Sequence, residues 1–171
     1  MRFPRRLMTG MMLSGLCLHP VSSLAEPFPA PTEEVILTID GKLGPDMPAS
    51  GIALDLAGLK ALPATSFTTR TIWTDGPKTF TGVSLRRLLE MAGASGDTVW
   101  AEALNGYQVE MKIPELHPEF PIIAYQIDGV EFTRRDKGPL WIVYPYDLDE
   151  QYRSEISYAT SVWQLQKMTV E

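Results

Sequence analysis

Two turn dipeptides, Asn105-Gly106 and Asp128-Gly129, decide most of what this 171-residue chain can become. Asn-Gly and Asp-Gly supply the positive φ that a tight hairpin turn demands. Each sits between runs of strand length. Residues 98–104 lead into the first turn, and residues 107–113, YQVEMKI, alternate away from it. Residues 121–127 and 130–132 flank the second. Two antiparallel hairpins therefore take the middle of the chain, and the remaining segments must pack on them.

Those segments continue the β pattern. Residues 33–40 alternate into a strand, residues 43–50 form a loop, and residues 66–73 read as a strand rich in threonine and aromatics. Leu54, Leu56, Leu59 and Leu62 suggest a short helix over 52–62. A turn-rich loop, 74–77, precedes the clearest helix. There Leu85, Leu88, Leu89 and Ala92 share one face, Ser84 can cap the start, and Gly93 can end it. Gly138-Pro139 opens a short buried strand, LWIVYP, closed by Pro145. Residues 147–157 are polar and irregular, and 161–170 form a last strand. The sum is an α+β fold, mostly β, in a single domain with one well-marked helix.

The first 25 residues stand outside that fold. Arg2, Arg5 and Arg6 precede a short apolar run, 7–18, and Ser23-Leu24-Ala25 places small residues where a signal peptidase reads. This predicts a secretory signal cleaved near Ala25 and a periplasmic protein. Arg5-Arg6 lacks the context of a twin-arginine signal, so export in the unfolded state is expected. Cys17 follows Leu16, where a lipoprotein signal needs a small residue. Residues 26–32, EPFPAPT, are a proline-rich lead-in, and the domain proper runs from 33 to 171.

The leader carries three arginines and no carboxylate. The remainder keeps twelve basic residues against 21 acidic ones, a net charge of −9 that repels phosphate backbones and excludes nucleic acid as a partner. Cys17 is the only cysteine, so the exported chain has neither disulfide nor thiolate. One histidine remains, His117, in a loop context beside Pro118. A serine nucleophile would lack its base, and no Gly-x-Ser-x-Gly elbow, phosphate loop or dinucleotide fingerprint appears. The carboxylates follow no pattern and read as solvated surface.

Aromatic placement is the informative feature. Trp73, Trp100, Trp141 and Trp163 lie in or beside strands, and Tyr107 follows a turn glycine. Any one of these tryptophans reads as core. Together with Arg70 and Arg153 in polar stretches, they could also wall a pocket for a flat heteroaromatic ligand. Stacking contributes about 1–3 kcal/mol per ring there.

Five segments in order, TFTGVSLRRLLEMAG, AEALNGYQVEMKIPEL, IIAYQIDGVEF, GPLWIVYP and SVWQLQKMTV, resemble the molybdopterin-binding domain of the sulfite oxidase family. The resemblance spans about residues 67–170 and implies a mixed-sheet α+β fold. The departures bear on function. The family's metal-ligand cysteine falls near Thr71, a poor ligand for a soft metal. The arginine of its Pro-hydrophobic-Arg strand is Trp141, and the lysine of its final strand is Trp163. Its active-site tyrosine is kept as Tyr107.

By this resemblance the chain looks like a small exported pterin-binding sensor without molybdenum. The cofactor-binding residues implied are Arg70, Thr71, Trp73, Tyr107, Trp141, Arg153 and Trp163, with free pterin as the ligand. Arg70 is expected to donate a hydrogen bond and Trp73 to stack or line. Asp147, Asp149 and Glu150 are candidates for reading the guanidine-like edge of the ring. The implied partner is the periplasmic domain of an inner-membrane enzyme that makes or degrades a cyclic dinucleotide. Two other readings stand beside it: a molybdenum-dependent oxidoreductase with an unusual metal ligand, and a ligand-free interaction module whose aromatic changes only repack a dead site.

Overall fold

The computed structural model describes residues 28–171. The expected signal peptide, 1–25, and the first two residues of the lead-in lie outside that range. Two five-stranded sheets carry these residues, and the chain passes from one to the other four times. The first sheet is built from both chain ends. β1 (Leu37–Gly41) lies parallel to β10 (Leu165–Val170), with β2 (Ile52–Leu54) on its other side. The first predicted hairpin, β5 (Thr98–Ala103) and β6 (Gln108–Lys112), pairs onto β10.

The second sheet runs β3 (Ala64–Arg70), β4 (Pro77–Ser84), β7 (Ile122–Ile127), β8 (Val130–Glu131), with β9 (Trp141–Val143) also on β7. β7 and β9 read as unbroken apolar runs because both faces are covered. Ile123, Tyr125 and Ile142 enter the larger core, which also holds Leu85, Leu88 and Leu89 of α2 (Leu85–Met91). Ile122, Ala124, Trp141 and Val143 enter a second, aromatic core with Phe80 and Tyr146. The predicted helix forms as expected. The Ser84 hydroxyl accepts from Arg87 N–H and donates to the Pro118 carbonyl at 2.7 Å, and Gly93 ends the helix at φ +63°.

The strand expected over 66–73 ends at Arg70, the one expected over 161–170 starts only at Leu165, and three larger expectations change. The helix expected over 52–62 is divided. Ile52 and Leu54 pair with Ile39 and Leu37, and only Leu56–Lys60, α1, is helical. Asp55 enforces the break, because its carboxylate accepts from Gly58 N–H at 2.7 Å as an N-cap. The same carboxylate accepts from the N–H groups of Thr32 and Glu33, fastening the lead-in to the domain. Second, β4 fills the stretch from Pro77 to α2, where the sequence reading placed a loop over 74–77 and assigned no element to 78–83. Its β-branched and aromatic residues pair with β3 along seven positions. Third, the polar stretch 147–157 contains a 3₁₀ turn, Glu150–Arg153, and leads into α3 (Glu155–Ala159).

Among the described residues no helix is long and apolar enough to cross a membrane.

Candidate functional site

β3 ends at Arg70 and the chain turns sharply. The Thr71 hydroxyl accepts from Trp73 N–H at 3.0 Å and shares a hydrogen bond with the Thr74 hydroxyl at 2.9 Å. This side-chain turn swings the Trp73 indole onto the aromatic core. Trp73 meets four rings edge to face: Trp141 and Trp163 at 5.7 Å, Tyr158 at 5.9 Å and Tyr146 at 6.3 Å. Such geometry places the positive ring edge against a negative face.

Tyr107 closes the other side. The Asn105 side chain accepts from Tyr107 N–H at 3.0 Å, and the phenol donates to the Ala159 carbonyl at 3.0 Å. The β5–β6 hairpin of one sheet thereby reaches α3 beside the other. Between them lies a recess of about 250 Å³, walled by Trp73, Tyr107, Tyr158 and Trp163, with Asn105 and Ser161 among its polar groups. Tyr107 is 49% exposed and Trp163 37%, so both residues reach solvent. The volume is below the usual range of about 300–1,000 Å³ for small-molecule pockets, so it suits a small, flat molecule. Larger recesses lie along α2 and beside His117, and neither gathers tryptophans.

Beneath the recess the polar groups are neutral and paired. The Tyr146 phenol and the Ser161 hydroxyl form a short hydrogen bond, and Ser161 also donates to the Ser157 carbonyl at 2.6 Å. Burial pushes the Tyr146 phenol far above its ordinary value, so it stays protonated. Tyr158 stacks on Tyr146 at 5.2 Å. This floor can donate and accept hydrogen bonds but presents no charge.

The expected site residues separate into three groups. Trp73, Tyr107 and Trp163 wall the recess together. Trp141 is fully buried one layer beneath Trp73, and its Nε1–H has no partner among the described residues. Arg70, Thr71 and Arg153 hold the surrounding loops instead of lining the recess. Arg70 gives its backbone N–H and its guanidinium to Asp147 at 2.8 and 3.3 Å, and Arg153 Nε donates to the Tyr146 carbonyl at 2.7 Å.

The carboxylates expected to read a ring edge are elsewhere too. Asp147 serves Arg70, Asp149 accepts from Gln151 N–H, and Glu150 is an exposed residue of the 3₁₀ turn. None of them lines the recess. Asn105, Tyr158 and Ser161 are the wall residues that sequence reasoning missed. Asn105 carries a signal in its turn dipeptide, and Tyr158 and Ser161 sit in or next to a stretch with no legible period.

The protein folds like part of sulfane dehydrogenase SoxCD from Paracoccus pantotrophus. The superposition has a TM-score of 0.55 at 16% identity, and covers 78% of this chain but 37% of that one. At this identity the likeness speaks for the fold, and it agrees with the sulfite oxidase-like fold expected from the sequence segments. No protein-family model matches the chain, and no curated protein matches it. The residues fit a molybdenum centre poorly. The position that resembles the ligand cysteine is Thr71, whose hydroxyl is committed to the turn. Among the described residues no three of His, Cys, Asp and Glu gather as a metal-ligand group.

Proposed function

We propose that this protein is a non-catalytic, periplasmic pterin-binding protein. It relays pterin occupancy to the periplasmic domain of a membrane-bound enzyme that makes or degrades a cyclic dinucleotide. One observation carries the ligand reading: the aromatic recess between Trp73, Tyr107, Tyr158 and Trp163, small enough for a bicyclic ring and lacking any carboxylate or cation in its walls. A pterin is flat, uncharged at neutral pH and rich in hydrogen-bonding edges. Ring faces supply stacking, while Asn105, Ser161 and nearby backbone groups can read the edge. The loss of cysteine, arginine and lysine at the positions implied by the family resemblance supports the same reading. That exchange removes metal and oxyanion chemistry, and at Trp163 it adds a ring to the wall of the recess, while Trp141 packs beneath it.

Binding is tested by titrating the purified protein with oxidised pterin while following tryptophan fluorescence. Saturable quenching is expected. Trp163→Ala, at a partly exposed wall, is expected to weaken binding by about 5- to 150-fold, the worth of one stacked ring. An unquenched titration with the folded protein contradicts the reading. Co-purification with the membrane enzyme's periplasmic domain, dependent on added pterin, tests the relay.

A further inference from the structure

Sheet edges are liabilities that proteins blunt with charge, proline, bulges or brevity. Three edges here are blunted. β2 has three residues and β8 two. β6 carries Glu110 and Lys112, ion-paired to each other. β3 is different. It has seven residues, ATSFTTR, with no charge before Arg70 and no proline, and its register with β4 is regular.

The backbone groups that face outward can be assigned. Thr79 of β4 donates its N–H to Asp128 and accepts from Asp128 N–H, so its backbone faces away from β3. Its partner Thr68 must face outward as well, since the two groups of an antiparallel pair point inward or outward together. Arg70 agrees, because its N–H is taken by Asp147. Alternation adds Ala64 and Ser66. All three residues are exposed, and among the described residues no other element meets their N–H and C=O groups.

The two ends of β3 differ in a complementary way. Beside its start, Leu62, Pro63, Val83, Leu88 and Met91 border a mainly apolar groove of about 450 Å³, with Ser84, Arg87 and Glu90 also in its wall. Beyond its end stand two exposed apolar side chains, Ile72 at 68% and Leu148 at 65%. Leu148 follows Asp147, which is tied to Arg70 and to the Thr69 hydroxyl.

We infer that β3 is a self-association edge, pairing antiparallel with β3 of a second copy about a two-fold axis at Ser66. That register sets Ala64 opposite Thr68 and Ser66 opposite Ser66, and is the one that satisfies all three outward residues at once. It also carries Ile72 of each copy toward the Leu62–Pro63 groove of the other, twice by symmetry. Charge permits the approach despite a net −6 for the full chain. The strand is neutral, and Asp147 matches its one cation. A strand pair alone falls short of the roughly 1,200 Å² that a stable interface buries, and the two groove contacts extend it. An unrelated extended peptide would use the edge but would leave the groove and Ile72 without a role.

The test uses the full chain with Cys17→Ser and Ser66→Cys, so that position 66 holds the only thiol. Hydrogen-bonded antiparallel neighbours have Cα atoms about 5.5 Å apart, within disulfide range. Mild oxidation is expected to give a covalent dimer quickly. Glu110→Cys on β6 is the control and is expected to stay monomeric. Sedimentation of the wild-type chain is expected to show a concentration-dependent dimer. Ile72→Glu, a fully surface change, is expected to weaken it by about tenfold or more. A wild-type chain that is monomeric at every concentration overturns the inference. So does cross-linking at position 110 that matches position 66, or a dimer indifferent to Ile72→Glu.

Discussion

Thr71 shows how one short side chain can set the course of a loop. Its hydroxyl holds the turn that aims Trp73. Thr71→Val keeps the shape but loses both hydrogen bonds, at a cost of about 1 kcal/mol in stability. Pterin affinity and the near-ultraviolet dichroism of the tryptophans are expected to fall with it, while Thr71→Ser retains both. Unchanged affinity in Thr71→Val would show that the turn does not position Trp73 for the ligand. At this scale the sequence was partly legible. Trp73, Tyr107 and Trp163 stand beside turn signals or at positions the family resemblance marks, and they meet in space. Tyr158 was hidden because α3 is a single five-residue helix, too short to show a period, and Ser161 because it was read into the last strand, which starts only at Leu165. Arg70 and Arg153 misled for a physical reason. A guanidinium near a loop is satisfied at least cost by a carboxylate or carbonyl of the adjoining chain, Asp147 for Arg70 and the Tyr146 carbonyl for Arg153.

The strands placed best were those bounded by turn dipeptides, because the turn fixes pairing and register locally. β5, β6 and β7 match their expected spans closely. β4 was missed because its pattern is interrupted at Gly82, where the pairing with β7 shifts register. That glycine has a structural reason. A Cβ there would lie 2.1 Å from the Ile123 carbonyl oxygen and 2.6 Å from Ala124 Cα. Neither backbone atom can yield without moving β7, which divides the two cores. Gly82→Ala is therefore expected to destabilise the fold by about 3 kcal/mol or more, as overpacking against backbone does. Chemical denaturation measures this, and a loss under 1 kcal/mol would show that β7 is free to shift. β2 and the end of the Leu54–Leu62 run were ambiguous for a different reason. A single buried carboxylate, Asp55, converts one apolar run into a strand and a helix, and no periodicity records that.

For the whole molecule, ionisation sets a window of stability. Hydrogen bonds from Gly58 and Thr32 hold Asp55 below the usual carboxylate range, and those from Thr79 and Lys78 do the same for Asp128. Burial raises Asp40, but its bonds to Lys167 and Thr169 carry it lower on balance. Their contribution is complete above the ordinary value of 3.8 and is lost as pH falls through the lower folded values. At the alkaline end, burial raises the phenols of Tyr125, Tyr144, Tyr146 and Tyr152. The unfolded chain ionises first, so stability falls as pH rises beyond the ordinary 10.0. Urea midpoints measured across pH are expected to form a plateau with both limbs, and Tyr146→Phe is expected to make the alkaline limb shallower. An unchanged alkaline limb would assign that loss to other groups. The measurement that bears most directly on function is the ligand content of the protein taken from the periplasm. The protein is denatured, the extract is oxidised, and pterin fluorescence and molybdenum are quantified on one sample. The account predicts pterin without molybdenum; molybdenum near one atom per chain would contradict it and make the protein an oxidoreductase.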